Sequence, residues 1–237
     1  MNFKSVLLKI SGEALANTNS IIAIKTLELI INTIKMITTQ KIQLALVIGG
    51  GNISRGNSLV KKLDIDKVNA DHMSMLATVI NGIAINDYCH KHKIDSVLYS
   101  AFNVGEFVKG YNRQSAIQNL HRNQVVIFSG GIGSPFFSTD SCAALRGIEL
   151  KVDLIIKATN IDGVYDQDPK LFTDAKKYST LNVNQAIQNQ IAVMDQTAFV
   201  LCQENKLPIF VYNINAPSVL INFLNDTNDN AGSFITV

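Results

Sequence analysis

Six short apolar runs rich in valine and isoleucine recur at residues 5–10, 42–48, 95–99, 124–129, 153–158 and 208–214. Runs of this length, apolar throughout, read as strands covered on both faces. Segments of helical length lie between most of them, at 24–39, 69–92, 111–123 and 139–150, with apolar residues at helical spacing. This alternation predicts an α/β fold, a three-layer α/β/α sandwich around a mainly parallel central sheet. At 237 residues and 47% hydrophobic content there is material for one large domain. A composition shift near residue 150 divides it into a substrate-binding half, about 1–150, and a nucleotide-binding half, about 151–237.

Ligands of such sheets collect beyond the carboxyl ends of the strands. The loops there, 9–13, 49–56, 130–140 and 157–168, are rich in Gly, Ser and Asp. The second holds Gly49-Gly50-Gly51 with Arg55 four residues on, bare backbone and a guanidinium suited to phosphate. Lys9 lies in an otherwise apolar strand and precedes a Ser11-Gly12 turn, so it either snorkels to water or meets an anion. Gly130, Gly131 and Gly133 lead to Ser138 and Thr139, either of which can cap a helix whose N-terminus attracts an anion. Lys157 opens a fourth loop with Asp162, Tyr165 and Asp168. Turn chemistry explains its carboxylates, and Tyr165 offers a ring for a purine. Asp71, near a helix start, complements the helix dipole or accepts from sugar hydroxyls.

Several classes are excluded. Net charge is +2 and the basic residues are scattered, so no nucleic-acid footprint exists and a small anionic substrate fits better. Cys89, Cys142 and Cys202 are odd in number and far apart, which supports neither disulfides nor a zinc site. His72, His90, His92 and His121 show no ligand spacing, so no protein-bound metal is expected. Without a long apolar span or a signal-peptide layout, the expectation is a cytoplasmic protein with no membrane partner.

Taken in order, Lys9 to Leu15, Val47 to Asn52 with Arg55-Gly56, Asp71-His72-Met73, Pro135-Phe136-Phe137, Thr139-Asp140, Lys157-Ala158-Thr159, Asp162 to Tyr165 and Val193-Met194-Asp195 resemble the bacterial uridylate kinases. These belong to the amino-acid kinase fold family, and the resemblance spans nearly the whole chain. It implies transfer of the ATP γ-phosphoryl group to UMP with Mg²⁺, in de novo pyrimidine and CTP synthesis. It further implies a homohexamer and allosteric control by GTP and UTP. Carried over, it assigns Lys9, Ile10, Ser11, Gly12, Gly51, Arg55, Thr159, Asn160, Tyr165 and Asp168 to ATP. Gly50, Asp71 and the loop Ile132, Gly133, Ser134, Pro135, Phe136, Phe137, Ser138 and Thr139 fall on UMP. Lys9, Arg55 and Lys157 neutralise the transferring group, and Asp140 orients the two lysines.

The chain departs from the family pattern at three places. Ile132 and Ser134 replace residues that are commonly Thr and Asn, so backbone donors must serve there. Ser54 replaces an aromatic residue, and the segment 17–24 lacks a glycine-rich stretch. A carboxylate kinase of the same fold would not call for Asp71 and the 130–140 loop. A nucleotide sensor or oxyanion-storage protein would not need all four charged residues, and Gly49-Gly50-Gly51-Asn52 is not the GxGxxG of a dinucleotide enzyme.

Overall fold

A computed structural model of the protein describes residues 3–226 and 231–237. The first half contains β1 (Ser5–Ile10), α1 (Gly12–Leu15), α2 (Ile24–Thr38), β2 (Gln43–Ile48), α3 (Gly56–Leu63), α4 (Lys67–Lys91), β3 (Ser96–Ser100), β4 (Lys109–Gly110), α5 (Arg113–His121) and β5 (Val125–Ser129). The second half contains α6 (Thr139–Leu150), β6 (Leu154–Thr159), β7 (Val164–Tyr165), β8 (Lys177–Tyr178), β9 (Thr180–Asn182), α7 (Val183–Gln188), α8 (Gln196–Glu204), β10 (Ile209–Asn213), α9 (Pro217–Leu224) and β11 (Ser233–Thr236). Nine strands form one sheet in the order β4-β3-β5-β2-β1-β6-β10-β11-β9, in which every pairing but β10 with β11 is parallel.

Because successive side chains of a strand point to opposite faces, each strand feeds two cores. Val6, Leu8, Ile10, Leu46 and Ile156 pack with α2, α4 and α9 through Ile30, Ile34, Ile85 and Leu220. Leu7, Val47, Val126, Phe128 and Ile155 pack on the other face with α5 to α8 through Leu120, Ala143, Ala186 and Phe199. The three-layer expectation therefore holds. All six predicted strands and four predicted helices are present, with bounds that differ by one or two residues at most ends. All three cysteines are buried, and among the described residues no helix is long and apolar enough to cross a membrane.

The sequence reading did not name α3, α7, α8, α9, β9 or β11, and it also missed four very short elements. β4 is an exposed two-residue edge strand, β7 and β8 form a separate two-residue pair, and α1 is a single turn after Ser11. α4 begins at Lys67 rather than 69 because the Asp66 side chain caps it, accepting from the Val68 and Asn69 N–H groups at 2.9 and 3.3 Å. In the unusual 17–24 segment, Asn17 Oδ1 accepts from Asn19 N and Ser20 N at 2.9 and 2.8 Å, so an asparagine turn orders what glycines would otherwise bend.

The loops after β1 and β2 touch. A Cβ built on Gly12 would lie 2.3 Å from the Gly51 nitrogen and 2.8 Å from the Gly49 carbonyl carbon. Neither neighbour is a flexible side-chain end, so Gly12→Ala must displace backbone, at a cost of about 2 kcal/mol. Thermal unfolding of G12A is expected about 4–8 °C below the parent. Gly110→Ala, where nothing lies within 4 Å of the added carbon, should change stability by less than about 1 kcal/mol.

Candidate active site

β1 and β6 are parallel neighbours, and their register pairs Lys9 directly with Lys157. On this row the flanking partners are Val47 of β2 and Val211 of β10, so two ammonium stems stand side by side between valines. Both side chains are buried, at 6% and 9% exposure. Like charges in register repel, and burial sharpens the repulsion. The first turn of α6 supplies the anion. Lys9 Nζ lies 2.7 Å from Asp140 Oδ1, and Lys157 Nζ donates to Asp140 Oδ2 at 2.8 Å. The Lys9 contact is ionic but lacks hydrogen-bond angles, so Oδ1 keeps an open lone pair. Lys157 also donates to the Val193 carbonyl.

Electrostatics follow from this packing. Burial pushes the Asp140 pKa up, but Lys9 and then Lys157 more than reverse it and hold it at about 2. Burial drives the Lys157 pKa down against the pull of Asp140, with Lys9 adding to the decrease. α6 itself is anchored by Ser138, whose Oγ accepts from Asp140 N at 2.9 Å and Ser141 N at 3.3 Å. Ser138 donates in turn to Asp195, the cap of α8, which also takes the Ser141 hydroxyl at 3.0 Å. Asp195 thus ties the N-termini of α6 and α8 beside the lysines. Its position four residues before an apolar helical run is the signal that marks it as a cap.

Two clefts flank this triad. The first, about 440 Å³, is lined by Lys9, Ser11, Glu13, Lys157, Thr159, Asn160, Tyr165, Asp168 and the strand of backbone at 190–193. Tyr165 donates to Asp162 Oδ1 at 2.8 Å, and Asp168 Oδ1 accepts the Lys170 N–H at 2.9 Å, closing a turn at the cleft wall. Thr159 Oγ1 likewise accepts from Ile161 N at 2.9 Å. Ile10 and Gly12 stand behind this wall, the former buried and the latter against Gly51.

The second cleft, about 800 Å³, is lined by Gly50, Gly51, Ser54, Arg55, Lys67, Asp71, Thr78, Phe136, Phe137, Ser138 and Thr139, among others. Gly50 packs against α4, since a Cβ there would lie 2.7 Å from the Ser74 carbonyl oxygen. Gly130, Gly131 and Gly133 all have positive φ, and the Gly130 N–H donates to Thr78 Oγ1 at 2.7 Å. Ile132 is half-buried and packs against the second core, while Ser134 is exposed; neither they nor Gly133 and Pro135 line the cleft. Arg55 and Gly51 lie in this second cleft rather than the first, although Arg55 pairs with Glu13 of the first. Glu13 and Lys67 are two charged lining residues the sequence reading passed over.

Cations line both clefts, Lys9 and Lys157 the first and Arg55 and Lys67 the second, a distribution that suits phosphoryl transfer between two nucleotides. Comparison with known proteins agrees. The amino acid kinase family matches residues 4–213, and the chain belongs to that family. A uridylate kinase of Ruthia magnifica subsp. Calyptogena magnifica is 45% identical over 213 residues, covering 90% of this chain and 89% of that protein. The crystal structure of UMP kinase from Bacillus anthracis superposes with a TM-score of 0.94 at 34% identity, covering 100% of this chain and 97% of the other. UMP kinase from Ureaplasma parvum gives 0.91 at 36% identity, with full coverage of both chains.

The Asp140 carboxylate is stabilising above its unfolded pKa of 3.8, contributes about 2 kcal/mol there, and loses this as pH falls from about 4 to about 2. Asp140→Asn removes the anion between Lys9 and Lys157, so the folded state holds its protons more weakly than the unfolded chain does. Unfolding free energy of D140N, from urea melts, is expected to rise with pH between about 7 and 10 more steeply than that of the parent. An equal slope would count against the coupling of the three groups.

Proposed function

We propose that this protein acts as a uridylate kinase, moving the γ-phosphoryl group of ATP to UMP to give UDP and ADP. The observation that carries this reading is the buried Lys9, Asp140 and Lys157 triad, whose lysines line the first cleft while Thr139, next to Asp140, lines the second. ATP occupies the cleft of Lys9, Ser11, Thr159, Asn160, Tyr165 and Asp168, with its base at Tyr165. UMP occupies the cleft of Gly50, Asp71 and the 132–139 loop. An oxygen of the UMP phosphate attacks the γ-phosphorus, and the bond to the bridging oxygen of the β-phosphate breaks as ADP leaves. The acceptor phosphate is largely ionised at neutral pH, so no general base is needed. Lys9 and Lys157 neutralise charge on the phosphoryl group in flight, Arg55 adds a third cation, and Asp140 keeps the lysines charged and aimed.

Mg²⁺ enters this reading as the companion of ATP. Asp140 already sits between two ammonium groups, and among the described residues no group of three or more His, Cys, Asp or Glu side chains could hold a metal ion. A protein-built metal cage does not fit these residues, and the ion would ride on the nucleotide phosphates. In the same reading, residues of about 1–150 serve mainly the acceptor and about 151–237 mainly the donor, although Lys9, Ser11 and Glu13 line the donor cleft. A homohexamer responsive to GTP and UTP, working in the cytoplasm in pyrimidine synthesis, completes the proposal by family resemblance.

With ATP and Mg²⁺, the protein is expected to release ADP mainly with UMP among UMP, CMP, dUMP, acetylglutamate and aspartate, in a coupled assay. No UMP-dependent ADP would defeat the reading. Lys9→Ala is expected to lower kcat by at least about 100-fold, consistent with the loss of one positioned charge-stabilising group. Light scattering should show its assembly state unaltered. A kcat within a few-fold of the parent would remove Lys9 from the catalytic role.

A further inference from the structure

Lys67 is the first residue of α4, and helix electrostatics disfavour it there. The N-terminal turn bears partial positive charge, which repels a cation. Lysine placed four residues before an acid is also the weaker order for an ion pair on a helix. Its presence therefore fits a task other than holding the helix. Its ammonium pairs with Oδ1 of Asp71, and the other oxygen, Oδ2, accepts the Phe136 N–H at 2.8 Å. The same ammonium lies 5.9 Å from the centre of the Phe136 ring.

Phe136 is itself unusual, with φ at +70°. The other described non-glycine residues with positive φ, such as Asp64, Lys93, Asn123 and Lys151, sit just beyond helix ends, where the left-handed turn is ordinary. Phe136 follows no helix. A bulky residue in this region is strained and persists when its surroundings hold it. The Asp71 carboxylate is the partner seen to hold its N–H, and Lys67 is the cation that fixes that carboxylate, whose side chain is 15% exposed against 38% for the lysine. All three residues line the larger cleft, and the Phe136 ring stands 70% exposed at it.

We propose that Lys67 is a positioning residue for the acceptor nucleotide. By neutralising one oxygen of Asp71 it leaves the other directed at Phe136, and so presets both the carboxylate and the 132–139 loop before the acceptor arrives. Without this cation, Asp71 turns toward water, the Phe136 N–H loses its acceptor, and the backbone relaxes out of the left-handed region. The consequence falls on acceptor binding, because among the described residues the hydrogen bonds and ion pairs of Lys67, Asp71 and Phe136 do not include Lys9, Asp140 or Lys157. This inference rests on the assignment of the larger cleft to UMP.

The test compares the full-length parent with Lys67→Met and Lys67→Arg. In K67M the KM for UMP is expected to rise about tenfold, the size expected for one lost charge-assisted contact, with kcat and KM for ATP within about twofold. K67R should return the KM for UMP to within about threefold of the parent. Hydrogen exchange read at the Phe136 amide, with no nucleotide present, should be faster in K67M than in the parent. An unchanged KM for UMP, an equal rise in KM for ATP, or K67R no better than K67M would overturn the proposal. So would an unaltered Phe136 exchange rate. If the parent itself shows no turnover with UMP, the functional reading fails separately, and the exchange measurement still decides whether Lys67 holds the loop.

Discussion

Two lysines cannot be buried side by side on neighbouring strands unless an anion stands between them. That constraint organises the protein around β1 and β6. The register that makes Lys9 and Lys157 partners also aligns Leu7 with Ile155 and Leu8 with Ile156, so the sheet's hydrophobic pairing and its charge placement are one decision. A slip of either strand by one residue would send its lysine into the opposite apolar layer, away from the other lysine and from Asp140. Asp140 answers their charge from α6, where the helix dipole favours a carboxylate in the first turn. Ser138 and Asp195 fix that turn, so the position of a single carboxylate depends on the caps of two helices.

The clefts on either side gain their shape from backbone rather than bulk. Gly12 against Gly51 brings the loops of β1 and β2 into contact, and Gly50 lets the second loop settle on α4. The loops that bound the two clefts are thereby held against each other, which in the proposed function keeps donor and acceptor close. Charge is shared in the same way, through the pairing of Arg55 in one cleft with Glu13 in the other.

Much of this was legible before any coordinates. The buried strands carry Val and Ile on both faces, so their pattern stands out, and the loops that follow them are marked by glycine. β4, β7 and β8 left no trace because two-residue strands are defined by their partners and not by their own composition. The start of α4 was missed because its cap is an aspartate in a polar stretch, before the apolar periodicity begins. Lys9 was readable as a misplaced charge in an apolar strand, and Lys157 as the lysine that opens the loop after the fifth of the predicted strands. Glu13 and Lys67 were not, since each looks like an ordinary surface charge until tertiary packing turns it toward a cleft. The side of Arg55 was likewise beyond sequence reasoning, because a loop residue's direction is set by the elements that flank it.

β1 lies at the centre of the sheet, with β2 on one side and β6 on the other. During synthesis β2 emerges soon after β1, but β6 follows only after α2 to α6 have left the ribosome, and parallel pairings of this sequence separation form slowly. Until then one margin of this central strand stays open and Lys9 has neither Lys157 beside it nor Asp140 as counterion. The nascent chain therefore carries the charged triad half-built, and protection of that margin falls to whatever attends it at the exit tunnel.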